Sequence, residues 1–395
     1  MVKWYERQRK QSTRKKIATV DIFGLMDQYP GMTYYLMLGP RNDGKTFAGL
    51  SYGLYRVAQS GGCIAYIRRF SDNFNFTDMS TLFDSIAATG WISVITDGEY
   101  DRVYYRGKRW YFEGTDPDTG ATIRADEPFM IGFDLNTSGG RKSSDHASKI
   151  CAVMFEEFVE ERPGGYLDPE REPIRLSHLL TTLLRNRADV PVILCGNTLS
   201  QYCPYFSFFG LDHLEEMSPG QVDVYEYANN PETKVLVKMT GEQPFAKPSN
   251  KYFAFDAPQL RMITGEGLWN VEIYPHIEGV LPEDKVVKRF WIASGELMLH
   301  VSVVVTAGAR FLYVRNKLDF EEVDNDADLI YCVVPDPRNN WRTNLSQPAN
   351  AGEKKIADMI KAGKVFFQTN RVGLAFDAFI QSVNYARSSA SRVRR

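Results

Sequence analysis

Short unbroken apolar runs alternate with stretches of helical period through the first half of the chain. Thr33-Tyr-Tyr-Leu-Met-Leu38 is β-rich and leads straight into a glycine-containing loop. Thr46 to Ala58 reads as a helix that stops at Ser60-Gly61-Gly62. Cys63–Ile67, Ile150–Phe155 and Val190–Cys195 are three further buried strands. Continuous apolar strands separated by helices predict a parallel sheet covered on both faces, an α/β fold. Between the second and third strands the pattern turns β-like. Arg102–Tyr105 and Arg109–Phe112 read as a hairpin around a basic turn, and polar, glycine-rich Asn136–Ser144 reads as a loop. Beyond residue 211 the alternation fades. Residues 212–280 are polar and proline-punctuated, and read as a linker or small helical module. From 281 strands resume as an antiparallel meander (286–293, 296–305, 310–314). A helix over 352–362, a strand at Val365-Phe366-Phe367 and a helix over 370–386 follow. The expected division is 1–211, 212–280 and 281–395.

The loop after the first strand carries the most specific chemistry. Gly39, Pro40, Arg41, Asn42, Asp43, Gly44, Lys45 and Thr46 match GxxxxGK[ST], with a strand before and a helix after. The glycines let successive N–H groups turn toward a phosphate, and the helix start adds its positive dipole end. Lys45 is expected to reach the β- and γ-phosphates of ATP, and the Thr46 hydroxyl to ligate Mg²⁺. The strand Ile150–Phe155 ends in Glu156 and Glu157. Glu156 takes the metal role by position and Glu157 the catalytic-base role, although aspartate is usual at the first place. Asn197 follows the next strand at the same edge of a parallel sheet, where ligands bind. Spacing alone reads Arg185 as a surface arginine, and leaves open whether Arg68 and Arg69 touch nucleotide, a neighbour or DNA. No histidine set has metal-ligand spacing.

Composition changes the picture in two places. Five cysteines without paired spacing read as core thiols in a reducing compartment. Seven basic residues against one acid give the first sixteen residues a net +6, and four arginines give the last ten +4. A chain of net −2 therefore carries −12 between its ends, which argues against a broadly basic nucleic-acid face and for local contacts. The turn Arg106-Gly107-Lys108-Arg109 is a candidate for one. No apolar run is long enough to span a membrane.

Several strings together resemble the DNA encapsidation ATPases of phi-29-type small tailed phages. They are Tyr66-Ile-Arg-Arg-Phe70, Met154-Phe-Glu-Glu-Phe158, Leu184-Arg-Asn-Arg187, Gly196-Asn197 and Cys203-Pro-Tyr-Phe-Ser-Phe-Phe209, with a looser match at Lys354–Lys361. The resemblance implies an ASCE-type P-loop ATPase domain and a C-terminal α+β domain like a degenerate RNase H-type nuclease. It implies a homomeric ring of five subunits on the portal of an empty procapsid in the host cytoplasm. ATP hydrolysis there would drive double-stranded DNA inward, and a structural packaging RNA would dock on the C-terminal domain where a phage uses one. Arg185 would act across the subunit interface as a finger, with Arg141 and Lys142 as a further basic site, and Asn197 would begin the coupling segment. Three competing readings stay open. One is a terminase-like motor with a live nuclease, whose candidate carboxylates are Asp256, Glu278, Asp319, Asp324 and Asp336. The others are a helicase or translocase outside any capsid, and a capsid scaffold with a spent P-loop.

Overall fold

The computed structural model describes residues 20–136, 149–241 and 274–380. Short interruptions fall at 161–164, 168–170, 186, 199–202, 212–213, 215, 276, 278–284, 295–296, 334–335, 344–347, 349 and 370–371. Arg141, Lys142, Asp256, Glu278 and both basic ends lie outside the described residues. The chain divides into two compact units. The first takes Met1–Val159, Arg175–Leu199 and Phe209–Asn270, and the second takes Glu160–Ile174, Ser200–Phe208 and Val271–Arg395.

In the first unit, helix α1 (Ile22–Gln28) precedes strand β1 (Tyr34–Gly39) and helix α2 (Lys45–Ser60), which ends on left-handed Gly61. Strand β2 (Cys63–Arg68) leads through short helical turns to β3 (Arg102–Arg106), β4 (Arg109–Thr115), β5 (Thr122–Arg124) and β6 (Met130–Asp134). Strand β7 (Ile150–Glu156), helix α3 (Glu172–Leu184) and strand β8 (Val192–Asn197) follow. The short helix α4 (Pro204–Phe208) falls in the second unit, and the first resumes with β9 (Val222–Tyr227) and β10 (Asn230–Met239). The sheet order is β3-β4-β6-β2-β7-β8-β1-β10-β9. The six strands from β6 to β10 run parallel. Antiparallel β4 and β9 flank them. The α/β expectation holds, and β8 lies between the strands that carry the loop and the two acids.

One expectation fails here, and a second is narrowed. Residues 222–239 are no linker or helical module, because β10 pairs with β1 along Tyr34↔Val235 to Leu38↔Met239. The buried run Val235-Leu236-Val237 drives that pairing, and Pro231 and two lysines around it had disguised the strand. The basic hairpin turn is also not free. Gly107 (φ 58°) and Lys108 (φ 63°) form its left-handed pair. Lys108 Nζ then folds inward to Ser71 Oγ (2.8 Å) and Asp134 Oδ2 (2.7 Å), over the Phe74 ring. Of the turn's three basic side chains, Arg106 and Arg109 stay exposed.

In the second unit, β11 (Val286–Ser294), β12 (Leu297–Val305) and β13 (Arg310–Asn316) form the expected meander. Strand β14 (Ile330–Cys332) adds parallel to β11, and β15 (Trp341–Arg342) parallel to β14. Helix α5 (Ala351–Lys361) and strand β16 (Val365–Phe367), parallel to β13, complete it. The sheet order is β15-β14-β11-β12-β13-β16, a meander with parallel strands added at both edges. Phe290, Val301, Leu312, Val314 and Phe379 form its core. Among the described residues no three or more His, Cys, Asp or Glu side chains cluster as metal ligands would. Asp336 instead grips the Arg338 guanidinium at 2.9 Å with both oxygens, and Asp324 caps the backbone N–H groups of Asp326 and Ala327.

Candidate functional site: the phosphate loop and its two carboxylates

Strand β1 ends at Gly39, and the backbone then turns through two left-handed residues, Asn42 (φ 66°) and Gly44 (φ 81°), before α2 begins. Such alternation turns successive N–H groups inward, at the positive end of the helix dipole. A Cβ on Gly39 would overlap the Thr240 hydroxyl, so this position tolerates only glycine. Lys45 Nζ curls back over the loop and donates to Pro40 O (2.7 Å) and Gly39 O (3.1 Å). It also pairs with Asp43 Oδ1 at 2.7 Å, and both side chains are buried. The Thr240 hydroxyl donates to the other oxygen of Asp43.

The two acids stand one strand beyond β8. Strand β7 is buried throughout and ends at Glu156, whose Oε1 accepts from the Thr46 hydroxyl. The carboxylate of this longer side chain thus lies against the Thr46 hydroxyl. Its Oε2 accepts from the Tyr66 hydroxyl, and Arg68 Nη1 approaches the same oxygen at 3.3 Å. Burial first, and then the Glu156 carboxylate, push the Tyr66 phenol well above its usual value, so it stays a donor. Burial works against the Arg68 charge, but Tyr66, Glu157 and Glu156 outweigh it and raise its pKa. Arg68 Nη2 reaches Glu157 Oε2 at 2.5 Å and so bridges both acids.

Glu157 has left-handed backbone (φ 57°), a conformation uncommon for a residue with a long side chain. Buried Arg69 fixes that turn, donating to the carbonyls of Glu157 and Phe158 at 3.0 Å each. The N–H of Glu157 meets Cys195 O on β8 (2.9 Å). The side chain itself remains about half exposed (56%), as access for water requires. Arg68 and Arg69, whose part was open in the sequence, thus hold the acid pair. Their signal was present: Tyr66 and Arg68 are two apart on β2 and share one face of the sheet. A tyrosine hydroxyl in a fully buried strand also needs a polar partner.

Asn197 ends β8 in register with Gly39, and Thr198 N–H donates to Gly39 O (3.0 Å). The structure therefore brings Asn197 to the loop edge. Arg185 is not there. It lies exposed at the end of α3 with left-handed backbone (φ 52°). Nearby Arg187 donates to Ile150 O at the start of β7. Arg185 thus belongs to the N-terminal edge of the parallel strands, roughly 20 Å of strand away from the acids. All five cysteines are buried. Burial raises the Cys195 thiol, beside Glu156, well above its usual value, which suits a core thiol.

The residues fit a triphosphate and its cation. The loop supplies inward N–H groups and an ammonium, and the Thr46–Glu156 contact gathers the hard oxygen donors that Mg²⁺ prefers. A strand inserted between a phosphate-loop strand and a strand ending in two acids defines an ASCE-type P-loop nucleoside-triphosphatase fold. The chain belongs to the Podovirus DNA encapsidation protein (Gp16) family, which residues 31–229 match. The DNA packaging proteins of Bacillus phages phi29 and PZA are each 26% identical to it over 176 residues, 44% of this chain and 46% of theirs. The chain thus spans about half the length of the curated relatives it matches. Its fold is similar to a chain of the bacteriophage Phi-29 viral genome packaging motor assembly (TM-score 0.57, 18% identity). That match covers 92% of this chain and 99% of the other.

Proposed function

We propose that the protein is an ATP hydrolase that drives double-stranded DNA into a viral procapsid as one of several identical subunits in a ring. The observation that carries this reading is the junction of Thr46, Glu156 and Glu157 under Arg68, one strand from the phosphate loop. Lys45 would bind the β- and γ-phosphates, and Thr46 and Glu156 would hold Mg²⁺. When bound, the ion neutralises charge that builds on the phosphates. Glu157 would orient water and accept its proton as the γ-phosphorus–oxygen bond to ADP breaks. Asn197 would face the γ-phosphate.

Arg185, remote from its own loop, would complete the site of a neighbouring subunit. Arginines that act this way are worth about 10³–10⁵ in rate. Family membership, and relatives named for DNA packaging, support the further steps. These are docking on a procapsid portal in the host cytoplasm, and use of a packaging RNA where one exists.

The test pairs two assays. Lys45→Ala and Glu157→Gln should abolish ATP turnover, with Glu157→Gln still binding ATP. Turnover by Glu157→Gln at the unaltered rate would remove the base assignment. The unaltered protein should support ATP-dependent DNA uptake by portal-bearing empty heads, and strand unwinding without such uptake would overturn the packaging role. If Arg185→Ala subunits mixed into unaltered rings lower activity only in proportion to their share, Arg185 does not act between subunits.

A further inference from the structure

The phosphate loop carries a carboxylate of its own. Asp43, Lys45 and Thr240 are 5%, 5% and 2% exposed, so the three groups meet away from water. An ammonium has three donors, and three acceptors occupy those of Lys45: Gly39 O, Pro40 O and Asp43 Oδ1. Asp43 is the only charged acceptor of the three and therefore binds the ammonium most strongly. A phosphate oxygen that takes Lys45 must displace it from Asp43 and then share the loop with that anion.

Asp43 is held in place from outside the loop. Its second oxygen accepts from Thr240, the residue that follows β10 and lies 197 positions along the chain. The N–H of Thr240 donates to Leu38 O (2.6 Å), continuing the β10–β1 pairing to the brink of the loop. Gly241, next in the chain, is left-handed (φ 97°), and a Cβ there would stand 3.3 Å from Pro40 Cδ. The end of β10 thus touches Gly39, Pro40 and Asp43 together.

We propose that Asp43 is an internal competitor for Lys45 that weakens nucleotide binding and hastens product release, and that Thr240 is the positioning residue that keeps it there. This inference rests on the reading of the loop as a nucleotide site. It makes the exit of the chain from β10 a lever on nucleotide affinity, because any shift of Thr240 frees Asp43 to leave the ammonium.

The test titrates the full-length protein with a fluorescent ADP analogue and Mg²⁺, and follows analogue release by stopped flow. Asp43→Asn keeps the shape and removes the charge, and should tighten binding about tenfold or more and slow release. Asp43→Ser should shift both in the same direction, and decides the matter if Asp43→Asn does not fold by circular dichroism. Thr240→Val should tighten binding by less, and should have no further effect in an Asp43→Asn background. Equal or weaker binding by the folded Asp43 variants would overturn the competitor role. An equal effect of Thr240→Val in both backgrounds would overturn the positioning role. Failure of the unaltered protein to bind the analogue would instead sink the nucleotide-site reading itself.

Discussion

Tyr66→Phe removes a single oxygen from the junction that holds Glu156. The Tyr66 ring is fully buried and packs edge-on against Phe74 (6.1 Å) and Trp110 (5.6 Å), contacts that phenylalanine keeps. What is lost is the hydroxyl bond donated to Glu156 Oε2 and a long one accepted from Arg68 Nη1 (3.4 Å), while Arg68 still approaches that carboxylate oxygen at 3.3 Å. A hydrogen bond to a charged group contributes about 1.5–3 kcal/mol net, so stability should fall by about that much. If about 1 kcal/mol of this reflects freer rotation of the carboxylate, the Mg²⁺ concentration for half-maximal turnover should rise about fivefold. The assay is ATP hydrolysis at saturating nucleotide with Mg²⁺ titrated, beside urea unfolding of the same preparation. Nucleotide binding without Mg²⁺, which depends on Lys45, should stay within about twofold. Unchanged stability together with an unchanged Mg²⁺ requirement would refute the claim that Tyr66 holds Glu156.

Two further outcomes are expected. Lys108→Ala removes the ammonium paired with Asp134, whose side chain is 2% exposed, while Lys108 itself is 21% exposed. Breaking a buried pair costs about 3–5 kcal/mol, and partial solvation of the lysine brings the expected loss to about 1–3 kcal/mol, readable as a lower unfolding midpoint. In the second unit, burial first and Arg315 next lower the pKa of His300, stacked on Trp291, to about 4. Its Nδ1 lies 3.1 Å from Glu321 Oε1 without hydrogen-bond alignment, and the pair attracts as ions only once His300 is protonated. Bonding to Arg315 keeps Glu321 down at about 2, so it stays ionised over the window that matters. The unfolded chain then takes up a proton on His300 near pH 6.5 that the folded chain refuses until about 4. Stability is therefore complete above 6.5 and falls as pH drops toward 4, by up to about 3 kcal/mol. His300→Phe should flatten that slope in denaturant titrations, and an unchanged slope would refute the assignment.

The phosphate loop was legible because its chemistry is local: eight consecutive residues fix the backbone turns, the ammonium and the hydroxyl. Parallel strands were legible as apolar runs, and the acids as the end of one of them. What escaped the sequence depends on strands that become neighbours only in the sheet. Tyr66 reads as one more apolar residue of β2 until β7 lies beside it with Glu156. Thr240 carries no local signal, because its meaning comes from the pairing of β10 with β1. Lys108 looked like a free cation on a basic turn. The left-handed pair that tightens the hairpin directs its side chain inward to Asp134 instead. Arg185 was singled out by resemblance, and its distance from the loop is a property of which edge of the sheet α3 ends at.

That distance has a consequence for assembly. The phosphate loop lies at the C-terminal edge of the parallel strands, and Arg185 at their N-terminal edge. A contact in which the arginine of one copy meets the loop of another therefore joins opposite edges of the two sheets. A two-fold dimer can satisfy it reciprocally, whereas a head-to-tail contact leaves a fresh unmatched surface on each added copy. It propagates until the rotation between copies closes on itself, or it grows as an open filament. Mutations that alter the path from α3 into β8 would act on that rotation, and so on subunit number, without touching a nucleotide.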